Sequence, residues 1–185
     1  MQSNSTYANC AICEVCDKTF QSSKIIYTCV NTDAKGAVFN DFDSFMLNRI
    51  QCKYCRSYFT YEIPMFVYSL NKGYGIFTVS CNFNSAKIQR ILEYTGNKNM
   101  QIYHVPFYAF AVEIERIYKY NLDYNYVTDV KNKLFNADKL NIAEEFILFD
   151  SVNNNKLLFK RYDFLYNVKD EYEANYTLQG EKNNE

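Results

Sequence analysis

Apolar and aromatic positions come in short runs separated by polar turns, and the period of each run predicts its element. "FQSSKIIYTCVN" (20–31) is dense in β-branched and aromatic residues and predicts a strand. "NDFDSFMLNRI" (40–50) sets Phe42, Phe45 and Met46 at helical spacing behind Asp and Asn capping candidates, which predicts a short helix. "SYFTYEIP" and "MFVYSL" predict strands broken at Pro64, and the turn "NKGYG" (71–75) before "IFTVSCNF" predicts a hairpin. "NSAKIQRILEYTGN" (84–97) predicts a helix with Ile88, Ile91 and Leu92 on one face and Gly96 as its stop. After an extended "MQIYHV", Pro106 opens a longer helix, "PFYAFAVEIERIYKYNL". "DYNYVTDVKNKLFN" (123–136) continues with Tyr126, Val127, Val130 and Leu134 as its apolar stripe. "EEFILFDSVNNNKLLFKRYDF" predicts two strands joined by an Asn-rich turn.

Runs of both periods predict an α+β fold with an antiparallel β core, helices packed on it and a C-terminal β-hairpin. Residues 1–9 read as a flexible N-terminus and 10–136 as the main domain. Residues 137–174 read as the hairpin extension packed on that domain, and the charged end, 175–185, as a disordered tail. A chain of 185 residues is long enough for one such core with an extension.

The cysteines change this picture most. "CEVCDKTF" places Cys13 and Cys16 two residues apart, with Phe20 four residues after the second; "CKYCRSYF" repeats the frame with Cys52, Cys55 and Phe59. Two residues between cysteines let the chain turn so that both sulfurs face one point while nearby amides point back at them. Two such turns supply four thiolates, the donor set of a tetrahedral Zn²⁺. The metal ligands are therefore expected to be Cys13, Cys16, Cys52 and Cys55, forming a zinc-ribbon-like site with two knuckles. A four-thiolate zinc site carries a formal 2− charge, which amides and Lys18, Lys53 and Arg56 would partly offset. Phe20 and Phe59 would pack beneath the turns. The stretch between the pairs exceeds the usual ribbon spacing of about 15–20 residues, so it must hold an insertion, which the strand and helix at 20–50 would fill.

Four ligands leave no position for an activated water, so the site is expected to be structural rather than catalytic. Iron could also fit four thiolates. Cys10, the spare cysteine of "CAICEVC", could replace a ligand in another register. A redox pair would need a helix directly after C-x-x-C, whereas both segments here continue as strands.

Composition and charge narrow the setting. Apolar residues make up 48% and charged residues 22%, ordinary for a globular protein, and a net charge of −1 gives no global field to steer a polyanion. The N-terminus lacks a basic region followed by an apolar one, and no apolar run reaches the ~18–20 residues of a membrane span. A reducing cytoplasm is the expected compartment, where seven cysteines point to metal or free thiols over disulfides.

The cysteine frame, with "FDSFMLNRIQCKYC", "YFTYEIPMFVYSLNKGYGIFTV" and "AVEIERIYKYNLDYNYVTDVKN" after it in that order, resembles the CpXC domain proteins of bacteria and archaea over roughly residues 13–135. That family is named for two C-P-x-C motifs. Both prolines are replaced here, by Glu14 and Lys53, and neither would have been a ligand. The resemblance implies the fold and the metal and carries no established activity.

Other candidates have plainer readings. His104, the only histidine, is expected to be a buried or half-buried structural residue rather than a base for Cys29 or Cys81. Cys10, Cys29 and Cys81 are expected to fill small apolar spaces. Asp33, Asp41 and Asp43 are expected in caps and turns. Glu113 and Glu115 with Arg116 and Lys119 suggest a solvated helix face, and the tyrosines of "IYKYNLDYNY" core and rim aromatics. The expected function is a non-catalytic zinc-binding module with a protein partner. Nucleic-acid binding through Lys18, Lys53 and Arg56 is the second reading, and a cysteine or carboxylate enzyme the third.

Overall fold

Met65–Ser69 and Tyr74–Thr78 bury every residue along their length, as only strands at the middle of a sheet can. They belong to the first of two compact units, residues 1–112 and 113–185, in a computed structural model that describes residues 4–7, 10–78, 93, 100–138 and 145–176. Apart from residue 93, which is helical, the helix expected over 84–97 lies outside the described residues, as do Cys81 and the tail from 177.

In chain order the first unit has β1 (Asn4–Tyr7), β2 (Ala11–Ile12), β3 (Thr19–Phe20), β4 (Ile25–Asn31), α1 (Ala37–Asp43), β5 (Arg49–Gln51), β6 (Tyr58–Thr60), β7 (Met65–Ser69), β8 (Tyr74–Thr78) and β9 (Gln101–Val105). Its main sheet runs β1-β4-β7-β8-β9. The fold class is α+β as expected, but this sheet is mixed: β4 pairs with β7, and β8 with β9, in parallel. Parallel pairing needs a long crossover, and the one from β4 to β7 contains α1 and the whole second knuckle. Residues 4–7, expected to be loose, form the strand β1 against β4.

Phe66 stacks on Tyr68 of its own strand and on Phe77 of β8, with centroids 5.5 and 4.6 Å away. Gly75 makes room for this ring: a Cβ there would stand 2.9 Å from Phe66. Asp33 ties the β7–β8 turn, accepting from the Ser69 hydroxyl at 2.5 Å and the Leu70 amide at 2.7 Å, which is the turn role expected of it.

The helix expected over 40–50 lies earlier, at Ala37–Asp43, and buries Phe39 and Phe42. It stops because the chain after it is held by tertiary bonds. Buried Asn48, at φ 56°, accepts the Tyr27 amide through Oδ1 at 2.7 Å and donates Nδ2 to the Tyr27 carbonyl at 2.9 Å. Its own carbonyl accepts the Tyr61 amide at 2.9 Å. One amide side chain thus substitutes for a strand neighbour of β4, and a helix through residue 48 would lose all three bonds.

The second unit has β10 (Glu145–Asn153), β11 (Lys156–Asp163) and β12 (Val168–Asn175), an antiparallel sheet in that order, with α3 (Tyr124–Asp138). Between the units in sequence runs α2 (Tyr108–Lys119), within which the division at Val112 falls. Asn154 and Asn155, at φ 47° and 58°, make the two-residue turn between β10 and β11, where both residues must be left-handed. The expected hairpin therefore gains a third strand, β12, whose "VKDEYEAN" has too few apolar residues to announce itself. Ile147, Phe149, Leu157 and Phe159 of the sheet form one core with Ile117 and Val127, rimmed by Tyr120, Tyr124 and Tyr126.

The helix face expected to be solvated is not. Glu113 and Glu115 are each 2% exposed. Glu113 accepts the Phe149 amide at 2.8 Å and the Lys131 ammonium at 2.5 Å. That amide lies at a β-bulge between Phe149 and Ser151, and the adjacent Asp150 pairs with Arg116 and Lys160, both at 3.1 Å. Among the described residues no helix is long and apolar enough to cross a membrane.

Candidate metal centre

Each C-x-x-C is the turn of a two-stranded hairpin. β2 and β3 pair Ala11 with Phe20 and Ile12 with Thr19; β5 and β6 pair Ile50 with Phe59 and Gln51 with Tyr58. The backbone bonds repeat position for position. Cys13 donates its amide to the Lys18 carbonyl at 3.1 Å and accepts from Asp17 at 2.8 Å; Cys52 does the same with Ser57 at 2.9 Å and Arg56 at 3.0 Å. Asp17 and Arg56 are both left-handed, at φ 56° and 65°, where each chain reverses. The repeat seen in the cysteine spacing is therefore a repeat of backbone structure.

These turns aim amides at sulfur. The Val15 amide donates to Cys13 Sγ at 3.4 Å and the Tyr54 amide to Cys52 Sγ at 3.3 Å. The amides of Lys18 and Ser57 favour the thiolate forms of Cys16 and Cys55. Cys13 and Cys52 thus each accept from the amide two residues on, a preformed donor set for thiolate charge.

The two hairpins bring their sulfurs together. Cys13 and Cys55 Sγ are 3.6 Å apart, Cys16 and Cys52 Sγ 3.8 Å, and all four lie within 4.8 Å of one another. A tetrahedron with metal–sulfur bonds of ~2.3 Å has edges of about 3.8 Å, so the donors fit a four-coordinate metal ion. Disulfides are excluded by the same distances, since bonded sulfurs stand ~2.05 Å apart. Cys13, Cys16, Cys52 and Cys55 could hold a metal ion.

Crowding of four thiols splits their acidities. At Cys55, hydrogen bonds from the Ser57 hydroxyl and amide draw the thiol down to about 6. For Cys16 the Lys18 amide pulls down, yet burial and the three neighbouring thiols outweigh it and push the group up to about 12. Without a cation the first proton leaves readily and the last is held, because thiolates at this spacing repel. A metal ion removes that conflict.

The cluster is dry below and open above. Cys13 and Cys52 are buried with Ala11, Phe20, Ile26, Ile50 and Phe59, while Cys55 is exposed. Phe20 meets Phe59 edge-to-face at 6.3 Å and Tyr54 at 6.5 Å, so the aromatic floor is as expected. The cations arrange themselves less simply. Lys18 and Lys53 both lie over the Tyr54 ring, at 5.1 and 5.0 Å from its centroid.

The remaining candidates lie elsewhere. Cys10 is exposed and outside the sulfur group, its carbonyl accepting the Tyr61 hydroxyl at 3.1 Å. Cys29 is buried beside Phe66 and Met100, filling apolar space as expected. His104 is exposed rather than buried, stacked on Phe77 at 5.4 Å. The register places Cys29, Phe66, Phe77 and His104 in one row across four strands. Three strand spacings of about 4.8 Å separate the thiol from the imidazole, too far for a nucleophile–base pair.

A groove of about 630 Å³ with no local signature in the chain lies against the second hairpin, with Lys24, Tyr27, Asp41, Arg49, Gln51 and Tyr58 in its wall. Its residues come from four separated stretches of the chain, and only the folded chain assembles them. No protein-family model matches the chain, and no curated protein or solved structure matches it.

Proposed function

We propose that Cys13, Cys16, Cys52 and Cys55 bind one Zn²⁺ as a structural centre, and that the protein is a non-catalytic binding module whose surface that ion holds in shape. The observation that carries this reading is the set of four sulfurs within 4.8 Å of one another, two of which already accept a backbone amide. Zinc is favoured over other divalent ions because it takes four thiolates tetrahedrally with no electronic penalty. Four protein ligands complete its shell, so the ion has no open position for substrate or water. Its role is to join the two hairpins above the aromatic floor that Phe20 and Phe59 form beneath them. The resemblance to CpXC proteins, in the cysteine frame and the order of helix and strands, agrees with this reading. A cytoplasmic setting would keep the thiols reduced and competent to bind.

Metal analysis of the purified protein tests it. One zinc per chain is expected, with Cys13→Ser and Cys52→Ser each losing it. Cobalt substitution should give the absorption of a tetrahedral tetrathiolate. Protein purified with iron in the site would replace zinc in the reading, and wild-type metal content in both serine variants would end it.

A further inference from the structure

The cations of the first unit are placed unlike those of the second. Among the described residues, Lys18, Lys24, Arg49, Lys53 and Arg56 meet no carboxylate. Arg49 lies over the Tyr58 ring at 5.4 Å and bonds the Met46 sulfur, and Lys18 and Lys53 lie over Tyr54. Both rings are solvent-facing, Tyr54 at 50% and Tyr58 at 47% exposure. Each ring thus offers solvent an aromatic surface beside cations that meet no carboxylate among the described residues.

Strand geometry explains how the second hairpin presents them. Ile50 and Phe59 face the core beneath the cysteines, so their neighbours Arg49, Gln51 and Tyr58 face outward into the groove. Lys24, with Ser22 and Ser23 beside it, lines the same groove. Asp41 is the one carboxylate among the lining residues. The turn of the same hairpin carries Tyr54 and Lys53. Charge points the same way: residues 1–112 hold ten Lys and Arg against seven Asp and Glu, a net +3 within a chain whose total is −1.

We infer that the groove and the outer face of the second hairpin bind single-stranded nucleic acid, with unpaired bases stacking on Tyr58 and Tyr54 and phosphates meeting Lys24, Arg49 and Lys53. Stacking is tolerant of sequence because every base has a π-face, and a duplex hides that face. The groove's wall of hydroxyl, amide, guanidinium and phenol groups suits a charged backbone better than the apolar anchor of a protein partner. The inference stands whichever ion fills the four-sulfur site, provided the hairpin is held.

The test uses the metal-loaded full chain and a fluorescein-labelled oligouridylate of about 12 nucleotides, followed by fluorescence anisotropy at about 50 mM salt. Saturable binding is expected, weakening as salt rises. Tyr58→Ala should cost about tenfold in affinity, the effect of losing one stacked base. Arg49→Gln should weaken binding and reduce the slope of log affinity against log salt by about 0.7, one phosphate contact. Lys133→Gln, exposed in the second unit, should change neither. Zinc content and circular dichroism show whether each variant is folded and loaded, so failure of the metal reading appears there and not in the anisotropy. Absence of binding at this salt overturns the inference. So does a polyglutamate peptide of equal charge binding as tightly with Tyr58→Ala harmless, which would mark an acidic protein surface as the partner.

Discussion

The two units use equal numbers of cations to different ends. Residues 1–112 and 113–185 hold ten Lys and Arg each, but the first has seven Asp and Glu and the second fourteen, for net charges of +3 and −4. In the second unit the cations pair across elements: Arg116 and Lys160 with Asp150 at 3.1 Å, Lys169 with Asp163 at 3.1 Å, and Lys156 with Glu173 at 2.5 Å. In the first, Lys18, Lys35, Arg49 and Lys53 lie over aromatic rings. Order also arises differently. β10, β11 and β12 follow one another through short turns, so each pairing closes a small loop. Cys13 and Cys55 must meet across most of the first unit's early chain, and each knuckle offers only a few ladder bonds of its own. A metal ion held by the four cysteines would supply what local contacts lack there. The comparison teaches that the cysteine pairs belong to the half of the molecule that needs a cross-link, and the surface ion pairs to the half that does not.

Breaking the cross-link is the largest test. Cys52→Ser, or chelation of the wild type, removes an ion whose apparent binding free energy is on the order of 10 kcal/mol in small structural sites. Hydrogen exchange should rise sharply across β5 and β6 and much less across β10 and β11. Equal loss in both units would contradict the division. Next comes Glu113→Ala, which strands the Lys131 ammonium and the Phe149 amide in a buried site. It should cost about 3–5 kcal/mol by denaturant unfolding, with zinc content unchanged. Phe59→Ala, in the floor beneath the sulfurs, should cost a similar ~3–5 kcal/mol and in contrast loosen the metal. Asn155→Val forces a β-branched residue into the left-handed turn position and should cost about 1–2 kcal/mol, confined to the second unit.

The smallest effect concerns pH. Asp163 is held below the ordinary carboxylate range: burial raises it, but bonds from the Asn167 side chain and amide and from Lys169 outweigh that. A carboxylate lowered in the folded state contributes stability above its unfolded pKa and loses it as pH falls through the folded value. The contribution should therefore fade below about pH 4. Asp163→Asn should flatten that part of the acid unfolding curve. An unchanged curve would show that the β11–β12 turn does not depend on the charge.

Legibility followed how local the determinant was. The β7–β8 hairpin, the pair of helices around residues 108–138 and the β10–β11 hairpin were readable, because apolar period and turn residues lie in one window. Both knuckles were readable from two cysteines and a phenylalanine repeated in frame. The short helix was misplaced because Asn48 is claimed by Tyr27, a residue its own window does not contain. Glu113 and Glu115 were expected at the surface because their sequence neighbours include Arg116 and Lys119; the bulge amide that Glu113 satisfies is 36 positions away. β12 was missed because an edge strand recruited by backbone pairing needs little apolar content.

The amino-acid order alone determined which four cysteines act together, since a C-x-x-C turn and the amides it aims at sulfur are properties of one short stretch of backbone. Only the tertiary structure decided that the two turns face each other at the spacing of a tetrahedron, that β4 and β7 run parallel, and that Arg49 and Tyr58 share a groove with Lys24. Those outcomes depend on contacts between segments far apart in the chain, where the gain is burial and charge placement in three dimensions and no single window carries the signal.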